Sequence, residues 1–352
     1  METTYILAVN PGSTSTKMAL FADDRMEQAE TLRHPAAMLE QFPRIWDQYP
    51  MRLETVRGWA GARGKNLSAV VSLGGLFRPV QGGTFRVNER MLADARANLQ
   101  GEHPSNLGCA IVHAMARENG CDAFVVDPVS VDEFEPLARY SGHPLIKRSA
   151  LSHALNIHAA ARRAAEELRI DLGSSRFIVA HLGGGISVAP VHGGRIVDVN
   201  DASSDGPFSP ERTGGLPLQR FITLCLSGKY NESELRTFVM GKGGLVAYLG
   251  TNSAEEVEAR IVRGDAQARE VYEAMAYQVA KEIGAMSTVL SGDVQAIVLT
   301  GGLAKSSMLM EWVTARVKRI APVLIYAGED EMRSLALGAL SVLRGELQAK
   351  EY

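Results

Sequence analysis

The sequence predicts an α/β protein of two domains in which one supersecondary unit is used twice. The chain of 352 residues is long enough for about two domains of ordinary size. A strand–turn–strand unit begins at residue 5, and a second begins at residue 176. Elsewhere, short apolar runs alternate with amphipathic helical segments, which is the pattern of an α/β fold.

The first strand–turn–strand unit lies at the start of the chain. The apolar run from Tyr5 to Val9 ends in Asn10-Pro-Gly-Ser-Thr-Ser-Thr, and the apolar pattern resumes at Lys17. Residues of these types favour a turn, because they tolerate or stabilise non-extended backbone. The segment therefore predicts two strands joined by a short loop.

Two further elements follow before the centre of the chain. Residues 104–119 predict a helix, with Ser105 as its N-cap and Gly120 as its stop. The apolar run 123–126 predicts a buried strand, and it leads directly into Asp127. This places a carboxylate at the end of a strand.

The second strand–turn–strand unit lies in the middle of the chain. An apolar run at 176–180 leads through His181 into the glycines 183–185, and apolar residues resume at 186–191. A further turn leads into 195–199. Adjacent hairpins of this kind predict a three-stranded antiparallel meander.

The last third of the chain predicts helices around one strand. Ser253, with a capping box to Glu256, opens a long amphipathic helical region. The apolar run 296–300 predicts a strand, and the segment beginning Gly301-Gly302 leads into another helix. A final helix is predicted over about 331–347.

The composition excludes several classes of function. Hydrophobic residues make up 46% and charged residues 22%, with a formal net charge of −3, so neither nucleic acid nor an anionic membrane is an expected partner. The three cysteines are scattered, without the spacing of a zinc site. No run approaches the length of a membrane span, and the first residues do not form a signal peptide. We expect a cytoplasmic protein.

Three loops of small and hydroxylated residues follow apolar strands, at residues 10–17, 181–187 and 300–307. Such loops suit phosphate, because backbone N–H groups approach an oxyanion closely where no Cβ interferes. The alternative is that each is only a tight turn. The P-loop, dinucleotide and protein kinase motifs are all missing from the sequence, so the loops predict a different type of nucleotide site.

Nine motifs, in order along nearly the whole chain, resemble those of the butyrate kinases, which belong with acetate kinase in the sugar kinase, Hsp70 and actin superfamily. They are Asn10-Pro-Gly-Ser-Thr-Ser-Thr-Lys17, Gly101-Glu-His-Pro-Ser-Asn-Leu-Gly108, Val126-Asp-Pro-Val129, His181-Leu-Gly-Gly-Gly-Ile-Ser-Val188, Asp205-Gly-Pro-Phe-Ser-Pro-Glu-Arg-Thr-Gly214, Gly241-Lys-Gly-Gly-Leu-Val246, Ala274-Met-Ala-Tyr-Gln278, Thr300-Gly-Gly302 and Gly328-Glu-Asp-Glu-Met332.

The resemblance implies a fold and an activity. The fold is two ribonuclease-H-like (actin-like ATPase) domains, with mixed sheets flanked by helices and a cleft between them. We expect one domain over 1–150, joined by the C-terminal helix 331–352, and the other over 151–330. The implied activity is reversible phosphorylation of a short-chain fatty acid, butyrate or a branched analogue, by ATP with Mg²⁺, in a homodimer or higher homo-oligomer. The alternatives are an acetate or propionate kinase, and a catalytically weak nucleotide-binding regulator.

Phosphoryl transfer to a carboxylate needs no strong base, because the acceptor is already ionised at neutral pH. Cations and neutral donors are therefore the side chains of interest. By resemblance, Arg212 stabilises the charge on the transferring group; its alternative is an ion pair with Glu211. His153 resembles the family's transition-state histidine, although a lone histidine is more often a core residue. His181 is expected to orient the second phosphate loop or to contact the γ-phosphate; the alternative is a strand-end histidine that hydrogen-bonds to the backbone.

The remaining roles concern the nucleotide and its metal ion. Asp127 is the leading Mg²⁺ ligand, with turn capping as the alternative, and Glu331 or Glu329 is the second. Phosphate and adenosine contacts are expected from three groups of residues: Asn10, Ser13, Thr14 and Lys17; Gly183, Gly184 and Gly185; and Gly301 and Gly302.

One motif departs from the family pattern. Butyrate kinases usually show Gly-Arg-Gly-Gly-Leu where this chain has Ser72-Leu-Gly-Gly-Leu76. Leu73 removes a donor fork suited to a carboxylate or acyl phosphate. We expect slower turnover or a different substrate preference if that arginine lies at the acyl site, and Arg78 is a candidate replacement.

Overall fold

The computed structural model describes residues 3–328 and 330–352. The chain divides into two compact units: Met1–Asp132 with Asp330–Tyr352, and Glu133–Glu329. They are called the first and second unit below. The first unit ends at Asp132, whereas the sequence analysis places this boundary near residue 150.

Eleven strands lie in the described ranges, six in the first unit and five in the second. They are β1 (Tyr5–Pro11), β2 (Ser15–Ala22), β3 (Arg25–Arg33), β4 (Ala69–Ser72), β5 (Thr84–Arg86), β6 (Asp122–Val126), β7 (Arg176–Leu182), β8 (Ile186–His192), β9 (Arg195–Ile196), β10 (Ala296–Gly301) and β11 (Val323–Ala327).

The helices of the same ranges lie on and between the strands. They are α1 (Ala36–Leu39), α2 (Tyr49–Gly61), α3 (Glu89–Ala97), α4 (Asn106–Asn119), α5 (Ala154–Leu168), α6 (Leu218–Cys225), α7 (Glu232–Val239), α8 (Gly244–Leu249), α9 (Ala254–Val262), α10 (Ala266–Val289), α11 (Ser307–Val317) and α12 (Glu331–Leu343), with 3-10 turns at Ile45–Gln48, Pro136–Arg139, Leu172–Ser174 and Gly302–Lys305. None of them is both long enough and apolar enough to cross a bilayer.

The two sheets share one plan. The first has the order β3-β2-β1-β4-β6-β5 and the second the order β11-β10-β7-β8-β9. In each, three consecutive antiparallel strands are followed by two strands that add in parallel beside the first. The predicted α/β class, with a mixed sheet in each unit and a duplicated hairpin, is confirmed.

Burial explains which strands are central. β1 and β7 are buried along nearly their whole length, as expected for strands covered on both faces, whereas β3 is exposed throughout and forms an edge. Helices α2 and α4 pack on the first sheet, where Val56 and Ile111 join Val70 in one core. The second core joins Ile178 of β7 to α10 and α11.

Four predicted elements differ from those observed. The helical region after residue 253 is two helices, because Gly264 has φ +92° and Asp265 starts α10 by accepting a hydrogen bond from the backbone N–H of Ala268. Ser105 stands at the N-cap of α4 but makes no side-chain capping bond. The strand predicted at 195–199 is only two residues long, and the final helix ends at Leu343.

Candidate functional site

The carboxyl ends of three parallel strands meet at one edge of the first sheet. Val9 of β1 is paired with Ser72 of β4, and Ser72 is paired with Val125 of β6. Ligands of open α/β sheets bind at this kind of edge. Here it carries the loop that begins at Asn10, the glycine segment that departs from the family pattern, and Asp127.

The first loop is held by one carboxylate. Asn10 and Lys17 lie opposite each other in the β1–β2 ladder. The Asn10 amide and the Lys17 ammonium both donate to Oε2 of Glu331, at 3.0 and 3.1 Å. Ser13 and Thr14 form the exposed tip between the strands. The structure therefore brings together the predicted phosphate residues of this loop and one of the two predicted metal carboxylates.

A residue that the sequence analysis missed lies under the same loop. Arg52 of α2 is fully buried, and its guanidinium donates to the carbonyl oxygen of Ser15 at 2.8 Å. A signal was present in the sequence, because Arg52 precedes Val56 and Trp59 at helical spacing and so lies on the apolar face of its helix.

Asp127 follows β6 in an unusual backbone conformation. Its φ is +40°, which is uncommon for a residue other than glycine, and the side chain is buried. Oδ1 accepts a hydrogen bond of 2.7 Å from the backbone N–H of Gly83. Turn capping, the alternative role, is thus present. The left-handed backbone is the kind of strain that recurs at functional sites.

The segment 72–76, which departs from the family pattern, is held in place by the neighbouring helix α4. A Cβ on Gly75 would lie 2.6 Å from the Cα of Asn106, and the Asn106 side chain accepts from the backbone N–H of Leu76 at 2.8 Å. Asn106 therefore holds this turn. The Arg78 guanidinium donates twice to Asp94, at 2.6 and 3.1 Å, and its role as a replacement for the missing arginine stays a prediction.

The second sheet has the same kind of edge. β7 and β10 are parallel neighbours with His181 paired to Thr300, so the loops that follow them lie side by side. Gly301 has φ +96°, and a Cβ there would lie 2.3 Å from the carbonyl oxygen of Leu182. Only glycine fits this contact. Gly302 begins a 3-10 turn with open space around it.

Three predicted catalytic residues of the second unit form one cluster. The rings of His153 and His181 stack with centroids 3.9 Å apart and planes at 15°. Nδ1 of His153 lies 2.9 Å from the hydroxyl of Ser187, and Nδ1 of His181 lies 2.9 Å from Oδ1 of Asn156. Two stacked histidine rings, each with a polar partner, are unlike the single buried histidine of an ordinary core. Asn156 and Ser187 were not predicted to take part.

Arg212 joins this cluster through the glycine loop. Its Nη1 donates to the carbonyl oxygen of Ala202 at 2.7 Å, and a Cβ on Gly185 would lie 2.2 Å from the same Nη1. Glu211 accepts a hydrogen bond from the amide of Asn252, and its negative charge also acts on Arg212, whose pKa it raises against the larger effect of burial. A role of Glu211 as the ionic partner of Arg212 thus stays an alternative. The glycine loop is therefore shaped to let the guanidinium approach.

Burial sets the charge state of the cluster. It lowers the pKa of His181 to about 3, with a further contribution from the positive charge of Arg212. The same two causes, with the neighbouring His181, hold the pKa of His153 well below its usual range. Burial also lowers the pKa of Arg212, but guanidinium remains charged at neutral pH. The site thus combines one cation with two neutral imidazoles.

The described residues contain no group of three or more His, Cys, Asp or Glu side chains arranged to hold a metal ion. Mg²⁺ needs fewer protein ligands, since it takes one or two carboxylates together with phosphate oxygens and water. Asp127 and Glu331 supply hard oxygen donors of this kind. Glu329, the other candidate, lies outside the described residues.

The chain is similar to known proteins along its length. The sequence model of the acetokinase family matches residues 144–323. A probable butyrate kinase 2 of Caldanaerobacter subterraneus is 50% identical over 350 residues, covering 99% of both chains. Butyrate kinase 2 of Clostridium acetobutylicum is 47% identical over 351 residues, again covering 99% of each chain.

Solved structures share the fold at much lower identity. Porphyromonas gingivalis acetate kinase aligns with a TM-score of 0.80 at 16% identity, over 97% of this chain and 100% of that one. A propionate kinase of Francisella tularensis aligns with a TM-score of 0.74 at 17% identity, over 95% of this chain and 98% of the other. These likenesses show the actin-like ATPase fold. With the near-complete sequence matches, they place the chain in the acetokinase family, among the butyrate kinases.

Proposed function

We propose that this kinase transfers the γ-phosphoryl group of ATP to the carboxylate of a short-chain fatty acid, with butyrate or a branched analogue as the acceptor. The observation that carries the proposal is the cluster of His153, His181 and Arg212 around the glycine loop 183–185. It offers a buried cation and neutral donors without a general base. Family membership supports the carboxylate acceptor.

In the proposed reaction, a carboxylate oxygen attacks the γ-phosphorus while the bond from phosphorus to the ADP oxygen breaks. The bonding electrons leave with ADP, and no proton has to be removed from the acceptor. Catalysis then depends on position and on stabilising the charge of the transferring group. A site without an ionisable base near neutral pH suits this chemistry.

Arg212 is proposed as the charge stabiliser. Its guanidinium is largely buried, where an electrostatic interaction is less screened than at the surface. The Ala202 carbonyl holds one terminal nitrogen, and the other N–H groups supply donors to phosphoryl oxygens. The space that Gly185 leaves open permits this placement.

His153 is proposed to donate one hydrogen bond to the transferring group. When the hydroxyl of Ser187 donates to Nδ1, the neutral ring carries its proton on Nε2, which becomes the donor. His181 stacks behind this ring and is held by Asn156. His181 therefore acts as a positioning residue in this proposal.

The residues proposed to bind the nucleotide and its metal ion lie at the carboxyl edges of the two sheets. Asn10, Ser13, Thr14 and Lys17 are proposed to bind terminal phosphates of the nucleotide. Gly301 and Gly302 are proposed to lie on the adenosine side. Mg²⁺ would be held by Asp127, with Glu331 as the second carboxylate, and it would neutralise charge on the phosphate oxygens.

The direct test is acyl phosphate formation, trapped as the hydroxamate, with ATP, Mg²⁺ and unbranched or branched acids of two to six carbons. We expect the highest kcat/KM with four carbons, and modest discrimination, because each methylene is worth only about 1–3 kcal/mol. Best activity with two or three carbons indicates an acetate or propionate kinase instead. Nucleotide binding without product for any acid refutes the kinase proposal and favours a regulator.

A Leu73→Arg variant belongs in the same experiment. It restores the arginine usual in the family, at the edge where the first sheet presents its loops. If that arginine serves the acyl site, we expect a rise in kcat or a shift in the preferred acid. If kcat and the order of preferred acids stay unchanged, residue 73 has a structural role and does not serve the acyl site.

The cellular context is also proposed. We propose a cytoplasmic homo-oligomer, because ATP is available in the cytoplasm and the three cysteine thiols are all free. Sedimentation velocity measures the assembly directly, and a monomer at micromolar concentration would contradict the homo-oligomer.

A further inference from the structure

Arg52 is a fully buried cation that makes its hydrogen bonds only to neutral oxygen atoms. Nε and Nη2 donate to Oε1 of Gln48, at 3.1 and 2.9 Å. Nη1 donates to the carbonyl oxygen of Ser15 at 2.8 Å and to the hydroxyl of Thr16 at 3.2 Å. A longer contact of 3.5 Å joins Nη2 to the carbonyl of Ser13. Three of its four partners thus belong to the first loop.

The positive charge of Arg52 has no counter-ion. No carboxylate of residues 3–328 or 330–352 forms an ion pair with its guanidinium. Burial lowers the pKa of Arg52 to about 10, so the side chain stays charged at neutral pH. Proteins rarely keep a buried charge without a paired charge, because removing it from water is costly.

From this charge and its partners we infer that Arg52 prepares the first loop for the terminal phosphates of a nucleotide. The C=O and N–H of a peptide unit point in opposite directions. A guanidinium that donates to the Ser13 carbonyl oxygen therefore turns the N–H of that peptide unit, which belongs to Thr14, away from itself. The Ser15 carbonyl oxygen accepts both from Arg52 and from the backbone N–H of Gly12, at 2.8 Å each, and these two bonds fix the loop. When the nucleotide binds, its phosphate supplies the negative charge that Arg52 otherwise lacks nearby. The inference rests on the proposed phosphate role of this loop.

Arg52 does not touch the nucleotide in this account, so it is a positioning residue. A purely structural role would require its hydrogen bonds but not its net charge. A substitution at Gln48 separates the two roles, because Gln48→Glu keeps the number of heavy atoms in the side chain and keeps an acceptor at Oε1. The new carboxylate gives Arg52 a partner and cancels the charge under the loop.

The experiment compares binding of ADP and of AMP by calorimetry in the unmodified chain, in Gln48→Glu and in Gln41→Glu. Gln41 is exposed and lies in the same unit, so Gln41→Glu adds the same charge away from the guanidinium. We expect Gln48→Glu to lower the affinity for ADP roughly tenfold or more and to change the affinity for AMP less than twofold. The melting temperature of this variant should be no lower than that of the unmodified protein. Gln41→Glu should change the affinity for neither ligand by more than twofold.

A folded Gln48→Glu protein that binds ADP within twofold of the unmodified chain overturns the inference. If that variant does not fold, Arg52→Lys and Arg52→Met decide together, since lysine keeps the charge and methionine removes it. An ADP affinity at least threefold higher in Arg52→Lys than in Arg52→Met supports the role of the charge, and a smaller difference refutes it. Failure of the unmodified chain to bind ADP instead contradicts the proposed function.

Discussion

Gly185→Ala tests whether the position of the Arg212 guanidinium controls catalysis. The new Cβ would lie 2.2 Å from Nη1 and 2.7 Å from Cζ of Arg212. Real Cβ atoms essentially never lie within 3.0 Å of another heavy atom, so Nη1 must move by at least 0.8 Å, and by 1.2 Å to reach an ordinary contact of 3.4 Å. The displaced atom is the far end of a flexible side chain, so the backbone can keep its conformation.

A displacement of about 1 Å in a group that stabilises the transition state costs about 100-fold in rate. This corresponds to about 2.7 kcal/mol of transition-state stabilisation. We therefore expect kcat/KM of Gly185→Ala, measured by hydroxamate trapping with butyrate, to fall about 100-fold. The free energy of unfolding should stay within about 1 kcal/mol, because an alanine here needs no left-handed backbone.

Gly184→Ala is the matched control. It makes the same substitution one residue earlier, where the nearest atom to a new Cβ is Oε2 of Glu211 at 3.9 Å. We expect less than a threefold change in kcat/KM. Equal losses in both variants would mean that the loop, not the guanidinium, is the sensitive element. A Gly185→Ala enzyme with unmodified activity would refute the role proposed for Arg212.

Three further predictions concern the histidines, the first loop and the end of the chain. Because the pKa of His153 and of His181 is lowered in the fold, unfolding takes up protons below about pH 6.5. The free energy of unfolding, measured with urea, should thus fall as the pH drops below about 6.5, with a limiting slope of about 1.4 kcal/mol per pH unit for each ring that stays neutral in the fold. His181→Asn should reduce this slope. Glu331→Gln should raise the Mg²⁺ concentration for half-maximal activity roughly tenfold. Its Tm should change little, because the ion pair that it breaks is partly exposed; an unchanged Mg²⁺ requirement would limit Glu331 to holding the loop. Tyr352→Phe removes a hydroxyl that donates to Asp94 at 2.9 Å and accepts from the backbone N–H of residue 78 at 3.0 Å, so the free energy of unfolding should fall by about 1–2 kcal/mol; equal stability would contradict this.

Local patterns in the sequence predicted most of the fold. The apolar runs around residues 5 and 176, each followed by small residues, have the periodicity of buried strands, and both are strands. Boundaries were less predictable. The break between α9 and α10 depends on a left-handed glycine and an aspartate cap, which interrupt a helix without interrupting its apolar pattern.

The candidate site was predicted unevenly. The loops and their glycines are visible as sequence motifs, because backbone freedom is a property of residue type. The pairing of Glu331 with Lys17 joins residues 314 positions apart, and no local pattern contains it. The ion pair of Arg78 with Asp94 is likewise invisible in the sequence, although it bears on whether Arg78 is free to replace the missing arginine.

By itself, therefore, the sequence determined the α/β class, the duplicated hairpin and the loops of small residues that follow the strands, and it predicted that these loops bind phosphate. Only the tertiary structure decided which charges are paired. Among the residues that the structure describes, it left Arg52 buried without a counter-ion, stacked the two histidines and made room for Arg212 beside Gly185. The physical reason is that pairing, burial and the resulting pKa values depend on distances between residues remote in the chain, whereas strand, turn and helix signals are local.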